Sequence, residues 1–301
     1  MSLLNPASSS TAAADARIDP RHPFVGHLHL VDALDREQPH AAWTPDDGPL
    51  PSLYISHGAP PLFEDAGWME QLVGWARSMP KPKAILIVSA HWESDSLGIT
   101  STVPTELVYD FGGFSRTYFE MRLDTPEASG LARQLLDVLP TTEHVYEHRR
   151  GLDHGAWVPL KVMYPHADVP VLQLSLPTRA STTKLLEIGS RLRTLREQGV
   201  LVIGSGFMTH GLAHIDMRSA SVPRWSAEFD AWAADALSRG DVEELAHFRT
   251  RAPGLRYAHP TVEHFTPLFV TLGAATDPTA PVTTTIDGYM VGLSKRSFQA
   301  A

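Results

Sequence analysis

The sequence predicts an α/β protein, in which a central, mostly parallel mixed sheet is flanked by helices. Apolar runs at 84–89 and 200–205 are typical of strands buried on both faces of a sheet, and 53–56 and 169–174 are also strand-like. Segments with helical spacing of apolar residues alternate with these runs. Strands that alternate with helices are the pattern of an α/β domain.

Four segments carry apolar residues at helical spacing, and helices are predicted at 64–79, 181–197, 223–238 and 263–273. No internal repeat and no long interior linker divides the chain, so residues 49–301 are predicted to form one domain. Residues 1–48 are rich in Ala, Ser, Pro, Asp and His and show little periodicity. They are expected to be poorly structured or to wrap the surface as an extension. His27 and His29 alternate in this stretch, but we favour a role without metal for both.

Composition narrows the class of protein. The net charge of −9 argues against a nucleic-acid partner and against a strongly anionic membrane surface. Without cysteine, any metal ligands must be histidines and carboxylates. No run approaches the roughly 20 apolar residues that span a bilayer. The first residues lack a basic stretch followed by an apolar core, so a cytoplasmic enzyme is expected.

Several histidines lie beside small residues at the predicted edges of strands or helices, which indicates a metal centre assembled from distant parts of the chain. They are His57, His91, His154, His210, His259 and His264. Ligands of open α/β sheets bind beyond the carboxyl ends of the strands. His57, His91 and His210 each follow a predicted strand, so they are the first candidates. No local motif such as HExxH is present.

The segment from 256 to 265 offers further candidates. His259 precedes Pro260 and is therefore held extended. Thr261 can cap a helix whose first turn carries Glu263 and His264. Only one of these two side chains is expected to face the metal, and spacing alone does not choose between them.

Two of these histidines also have a context that predicts a catalytic role. His210, in a glycine-containing loop, is either a ligand or a general base beside the metal. His154 lies just ahead of a predicted helix, and Asp153 either orients it or caps the helix. Surface or packing roles are expected for the remaining candidates, His144, His148, His166, His214 and His247.

Six segments together resemble the DOPA 4,5-dioxygenase type of extradiol ring-cleavage dioxygenases, in the class III group that includes the protocatechuate 4,5-dioxygenase catalytic subunit. They are PSLYISHGAPPLFED, PKAILIVSAHWES, YDFGGFSRTYFEMRLDTP, RGLDHGAWVPLKVMYPHADVPVLQLSL, VIGSGFMTHGL and HPTVEHFTPLFVTLGAA. The resemblance runs in unbroken order from about Pro51 to the C-terminus, and it leaves out the first 48 residues.

The resemblance implies a role for each of five histidines. His57, His91 and His264 would hold one divalent metal, Fe(II) for activity or Zn(II) as the family is often isolated. His210 would be the active-site acid and base, close enough to act as a fourth ligand in some metal states. His154 would contact the substrate or help to move protons.

The resemblance also leaves alternatives open. Some relatives use a carboxylate as third ligand, which keeps Glu263 as a minor alternative. Related sequences typically read THN where this chain has Thr209-His210-Gly211. That difference bears on the positioning of His210 or on substrate preference.

The implied partners are a small catecholic substrate and O₂, which would give a semialdehyde, and a homo-oligomer is left open. A zinc hydrolase on the same scaffold and a catalytically silent metal-binding protein are the rival functions. Phe111, Phe114, Tyr118, Trp157 and Phe207 are candidates for the lining of an aromatic pocket, and each fits the hydrophobic core equally well. Arg116 or Arg256 is the candidate partner for a substrate carboxylate, although a surface ion pair is the commoner role of an arginine.

Overall fold

A computed structural model of the chain describes residues 15–216, 219 and 221–301. The strands within this part are β1 (Ser52–Ser56), β2 (Ala84–Ser94), β3 (Leu97–Ile99), β4 (Val145–Glu147), β5 (Val171–Pro177), β6 (Val200–Gly206), β7 (Thr283–Ile286), β8 (Tyr289–Met290), β9 (Leu293–Ser294) and β10 (Ser297–Ala300). Eight of them form one sheet in the order β4-β3-β5-β2-β6-β1-β10-β7, and β8 pairs with β9.

The centre of the sheet is parallel. β5, β2, β6 and β1 are neighbours that all run in the same direction. Antiparallel pairs appear toward the edges, where β3 meets β5, β10 meets β1 and β7 meets β10. The predicted mostly parallel mixed sheet is confirmed, and β1, β6 and β2 lie side by side, so their carboxyl ends share one edge.

The helices of the described part are α1 (Pro23–Glu37), α2 (Ala66–Arg77), α3 (Arg116–Glu120), α4 (Ser129–Val138), α5 (His154–Met163), α6 (Thr182–Arg196), α7 (Arg224–Ser238), α8 (Val242–Ala246), α9 (Phe248–Arg251), α10 (Leu255–Ala258) and α11 (Pro267–Ala274). Short 3₁₀ turns occupy Pro45–Asp47, Pro60–Glu64 and Leu212–His214. No helix among these residues is long and apolar enough to cross a membrane.

Helices cover both faces of the sheet. Successive side chains of a strand point to opposite faces, so each central strand contributes to a core on each side. Ile85 and Ile87 of β2 join a core that includes buried residues of α2 and α5. Leu86 and Val88 join a second core that includes buried residues of α6 and α11. These alternating contacts explain why residues 84–88 of β2 are apolar at every position.

Local sequence explains where the helices begin. Asp65 caps α2 by accepting the Trp68 N–H at 2.9 Å, and Ser181 caps α6 by accepting the Lys184 N–H at 3.1 Å. The predicted helix at 263–273 differs from the structure, since α11 begins only at Pro267. Proline favours the first position of a helix, where its missing N–H costs nothing. Residues 263–266 form a turn instead.

The N-terminal region contains a helix that the sequence analysis does not predict. α1 starts with a proline, His22 caps it by accepting the Phe24 N–H at 3.2 Å, and the Phe24 ring is fully buried. Nε2 of His27 hydrogen-bonds to the Val162 carbonyl of α5 at 2.9 Å. This helix was not predicted because few of its side chains are buried, so its apolar periodicity is weak. Residues 1–14 lie outside the described part, and the division at residue 48 stays a prediction.

Candidate active site

Histidine rings from three distant segments converge at the carboxyl edge of the sheet. Nε2 of His91 lies 3.1 Å from Nε2 of His57 and 3.2 Å from Nε2 of His264. The residues that can offer ligand atoms form two adjoining groups, in each of which the atoms lie within 4.8 Å of one another. They are His57, His91 and His154 in one group and His210, Glu263 and His264 in the other.

The hydrogen-bond partners of these rings determine which nitrogens face one another. Nδ1 of His57 lies 3.0 Å from the Ser205 hydroxyl, whose proton is donated to the Gly155 carbonyl, so Nδ1 of His57 is the donor. Nδ1 of His264 donates to the Glu263 carboxylate at 3.0 Å. Both rings therefore turn an unprotonated Nε2 toward His91.

This arrangement fits a divalent metal ion. Metal–nitrogen bonds of about 2.0–2.1 Å place neighbouring ligand nitrogens roughly 3.0–3.4 Å apart. The two Nε2 separations of 3.1 and 3.2 Å agree with that range. Lone pairs that face one another at this distance repel unless a cation lies among them, so the donor set itself favours a bound metal.

The electrostatics keep these rings neutral, as metal ligands must be. Burial, followed by the charges of neighbouring histidines, lowers the pKa values of His57 and His264 well below the ordinary value of 6.5. Burial also lowers the pKa of His91 to about 4. At neutral pH the three side chains therefore present free lone pairs.

His57 directly follows β1, as predicted. Its N–H donates to the Gly206 carbonyl at 2.9 Å, which continues the pairing of β1 with β6. Gly58 then turns the chain with φ +69°, and a Cβ there would lie 2.8 Å from the Trp68 ring. Only glycine combines this backbone conformation with this close approach.

His91 is placed differently from the prediction. β2 continues to Ser94, so His91 lies within the strand and not past its end. The register between β2 and β5 shifts between Val88 and Glu93, so the strand is irregular where His91 leaves it. Such irregularities re-aim side chains next to active sites.

His264 lies in the turn before α11 and is held through its carbonyl oxygen. Both the Phe207 N–H and the Tyr54 hydroxyl donate to that oxygen at 2.9 Å. A Cβ on Gly206 would lie 2.1 Å from the same oxygen, so glycine is required for the approach. Glu263 accepts from the Thr261 hydroxyl and from Nδ1 of His264, which is an orienting position for its carboxylate.

His210 lies against His264 in a parallel stack, with ring centroids 3.4 Å apart and planes at 10°. Its N–H donates to the Ala258 carbonyl at 2.7 Å. Burial, with the charge of His259 next, lowers the pKa of His210 to about 4. A neutral ring beside this cluster of histidines is able to accept a proton.

Close packing explains why glycine follows His210. A Cβ at Gly211 would lie 2.0 Å from the Tyr257 carbonyl oxygen and 2.8 Å from the Trp225 ring. The backbone of 254–258 therefore fills the space that a longer side chain would need. That same backbone accepts the His210 N–H through Ala258, so Gly211 supports the position of His210.

His154 is the first residue of α5, and its orienting carboxylate is one that the sequence analysis missed. Nδ1 of His154 lies 2.8 Å from Oδ1 of Asp110, and the backbone N–H of His154 also donates to that oxygen. Oδ2 of Asp110 lies 3.4 Å from Nδ1 of His91. The available signal was the segment YDFGG, in which an acid precedes two glycines.

Asp153 has neither of the two predicted roles: it does not orient the His154 ring, and its side chain does not cap α5. Its carboxylate accepts from the Ser89 hydroxyl and the Gln173 amide, and it makes no side-chain hydrogen bond to cap α5. Asp153 is fully buried, so this network fixes the start of α5 against β2 and β5. Its contribution to the site is the placement of the helix.

A cavity of about 730 Å³ opens beside the histidines. Its lining includes His91, Asp110, His154 and His210, together with the apolar side chains of Phe111, Phe114, Phe207, Met290 and Leu293. Of the five aromatic candidates, Tyr118 and Trp157 take the core alternative and are buried there. Neither Arg116, in a surface pair with Glu120, nor Arg256, against the Tyr257 ring, lines it.

The other histidines make ordinary structural contacts. Nε2 of His259 donates to the Met208 carbonyl at 3.0 Å, and its ring packs against Phe229 and Phe265. The five histidines for which surface or packing roles were predicted contact rings or carboxylates elsewhere: His144 with Tyr146, His148 with Trp92, His166 with Asp35, His214 with Tyr257 and His247 with Glu243.

Comparison with curated proteins supports the predicted family. The chain is 39% identical over 237 residues to a protein of Beta vulgaris named 4,5-DOPA dioxygenase extradiol, which covers 76% of this chain and 88% of that protein. Proteins of the same name from Portulaca grandiflora (74% of this chain and 85% of that protein) and Escherichia coli K12 (83% and 94%) are 37% and 32% identical.

The fold comparison agrees. The crystal structure of an uncharacterized Escherichia coli K12 protein superposes on this chain with a TM-score of 0.71 at 30% identity. The match covers 84% of this chain and 100% of the Escherichia coli chain. Residues 51–291 match the family model described as the catalytic LigB subunit of aromatic ring-opening dioxygenase. These findings support metal-dependent extradiol ring cleavage and do not favour the hydrolase or the silent binding protein. The chain belongs to the family of catalytic LigB subunits of aromatic ring-opening dioxygenases.

Proposed function

We propose that this protein opens a catechol ring beside its diol with one Fe(II) held by Nε2 of His57, His91 and His264. The observation that carries this proposal is the convergence of the Nε2 atoms at 3.1 and 3.2 Å at the edge of the aromatic cavity. A bound Fe(II) would supply open positions for the diol and O₂ and the redox chemistry that the reaction between them needs. Both oxygen atoms of O₂ then enter the ring-opened semialdehyde.

His210 is proposed as the acid and base of this reaction. The ring lines the cavity, is neutral at pH 7 and stacks on a proposed ligand, His264. It is therefore placed to take the proton of a substrate hydroxyl and to return it during ring opening. Proton transfer by a positioned side chain commonly contributes about 10²–10⁴-fold to a rate.

His154 is proposed to bind a second polar group of the substrate, besides the hydroxyl whose proton His210 takes. Asp110 accepts the Nδ1 proton of His154, so in an uncharged imidazole Nε2 is the acceptor nitrogen. Burial acts to raise the pKa of Asp110, but the hydrogen bonds that it accepts from the ring and the backbone N–H of His154 lower that pKa overall. An ionised Asp110 holds the ring of His154 in one orientation and one tautomer.

The substrate is proposed to be a catechol that carries a side chain, as the name of the curated relatives suggests. The cavity of about 730 Å³ is larger than a catechol ring needs, and Phe111, Phe114 and Phe207 offer apolar walls for an aromatic ligand.

Anaerobic reconstitution with Fe(II) tests this function. O₂ uptake and visible absorbance are followed with DOPA, dopamine, protocatechuate and unsubstituted catechol. We expect about one O₂ consumed per ring and a yellow product with at least one catechol. The Zn(II)-loaded protein is the control and should be inactive, because Zn(II) has no redox chemistry. Fe(II)-loaded protein that consumes no O₂ with any catechol, or that hydrolyses esters without O₂, would contradict the proposal.

A further inference from the structure

A proline interrupts the hydrogen bonding of the helix that begins at His154. Pro159 lies inside α5 and has no N–H to donate to the carbonyl four residues before it, which belongs to Gly155. The Gly155 carbonyl therefore lacks its helical donor. Gly155 and Pro159 are both buried, so the vacant acceptor needs a partner from the protein.

Ser205 of β6 is that partner. Its hydroxyl donates to the Gly155 carbonyl and lies 3.0 Å from Nδ1 of His57. A serine hydroxyl has one proton, and here it is directed at the carbonyl, so the oxygen is left to accept from His57. Ser205 is fully buried, and water does not compete for these bonds.

We propose that Pro159 and Ser205 are positioning residues that fix the tautomer of His57. The helical carbonyl freed by Pro159 orients the Ser205 hydroxyl, the hydroxyl oxygen holds the proton on Nδ1, and Nε2 is left as a lone pair for the metal. This inference rests on the proposed role of His57 as a metal ligand. Such partners typically change metal affinity about 10- to 100-fold when they are removed.

The close packing of α5 against the histidines holds these hydrogen-bonded groups in place. A Cβ at Gly155 would lie 2.4 Å from the Ser89 hydroxyl, 2.9 Å from the His91 ring and 3.2 Å from the His57 ring. Glycine at this position lets the helix backbone approach both histidines. The carbonyl of the same residue is the one that Pro159 leaves free.

A different orientation of the Ser205 hydroxyl explains why Pro159 affects the tautomer of His57. With an N–H at position 159, the helix supplies its own donor to Gly155, and the Ser205 hydroxyl is free to rotate. It then donates to Nδ1 of His57, which moves the ring proton to Nε2, the metal-facing nitrogen. The Pro159→Ala variant is therefore expected to bind metal more weakly although it completes the helix.

The test is the Zn(II) affinity of the full-length, metal-free protein, measured by competition with a chromophoric chelator. We expect Ser205→Ala to bind Zn(II) about 10- to 100-fold more weakly. Ser52→Ala is the matched control, because Ser52 is also fully buried and its hydroxyl donates to a main-chain carbonyl, that of Thr271, away from the histidines. Its Zn(II) affinity should equal that of wild type, and thermal unfolding verifies that both variants fold.

A double-mutant cycle separates positioning from a general loss of structure. If Pro159 acts through Ser205, Pro159→Ala weakens Zn(II) binding in the wild-type background and has no further effect in the Ser205→Ala background. Equal factors in both backgrounds would overturn the inference. Wild-type affinity of Ser205→Ala would also overturn it, provided that His57→Ala loses binding. Unchanged affinity of His57→Ala would overturn the proposed metal role of His57 and this inference with it.

Discussion

Nδ1 of His154 and Oδ1 of Asp110 are 2.8 Å apart, and this contact joins a helix start to the wall of the cavity. The other oxygen of Asp110 lies 3.4 Å from Nδ1 of His91, so one carboxylate faces two histidines of the site. Carboxylates in this position fix the orientation and tautomer of an imidazole.

Asp110→Asn should lower kcat/KM about 10- to 100-fold, because an amide does not hold the Nδ1 proton of His154 as a carboxylate does. Steady-state O₂ uptake by the Fe(II)-loaded protein measures the effect. Asp235→Asn, at an exposed surface pair with Arg239, is the control and should match wild type. An Asp110→Asn enzyme with wild-type kcat/KM would show that Asp110 does not support His154 in the reaction.

His210→Ala should retain metal and lose ring opening by about 10²–10⁴-fold, since the acid and base would be missing. Metal content after gel filtration and the rate of product formation separate the two effects. His214→Ala removes an exposed histidine of the same segment and should leave the rate unchanged. An active His210→Ala enzyme would rule out the proposed role.

Gly211→Ala should destabilise the protein by about 1–3 kcal/mol, because the added Cβ would meet the Tyr257 carbonyl at 2.0 Å and force the backbone to move. The shift should also lower kcat, since His210 is anchored to the same segment. Gly130→Ala in α4 is the control, as nothing lies within 4 Å of a Cβ there. Urea unfolding and O₂ uptake are the measurements. Equal behaviour of the two variants would contradict the crowding inferred at Gly211.

The metal-free protein should lose stability in mild acid. Burial lowers the pKa of His259 to about 4, against 6.5 for an ordinary histidine. Between these values the unfolded chain binds more protons, so stability falls as the pH drops from about 6.5 toward 4. For His259 alone the loss between pH 7.5 and pH 5 is about 2 kcal/mol.

His259→Gln should remove that share of the pH dependence, because glutamine does not titrate and retains a donor for the Met208 carbonyl. The free energy of unfolding in urea at pH 7.5 and pH 5 gives the difference for each protein. If the variant loses as much stability as wild type between these pH values, the contribution assigned to His259 is wrong.

The sheet was predictable from sequence because its central strands are continuous apolar runs between helical segments. The clustering of histidines at one edge followed from the strand ends, and His57 lies where that argument places it. The histidine at 91 was less predictable. A change of register within β2 depends on the neighbouring strand β5, which the local sequence does not show.

Other features depend on contacts between distant segments. The start of α11 is set by Pro267 and by the carbonyl contacts that hold His264 before it. The pairing of Asp110 with His154 joins residues 44 positions apart and has no local pattern. The helix at Pro23–Glu37 lacks strong periodicity because it buries few of its side chains.

The most direct measurement is the position of iron in a crystal of the reconstituted protein, from anomalous diffraction at the iron edge. We predict a single peak within about 2.0–2.3 Å of Nε2 of His57, His91 and His264. A peak bound by His154 in place of His264, or by the carboxylate of Glu263, would contradict the proposed metal centre.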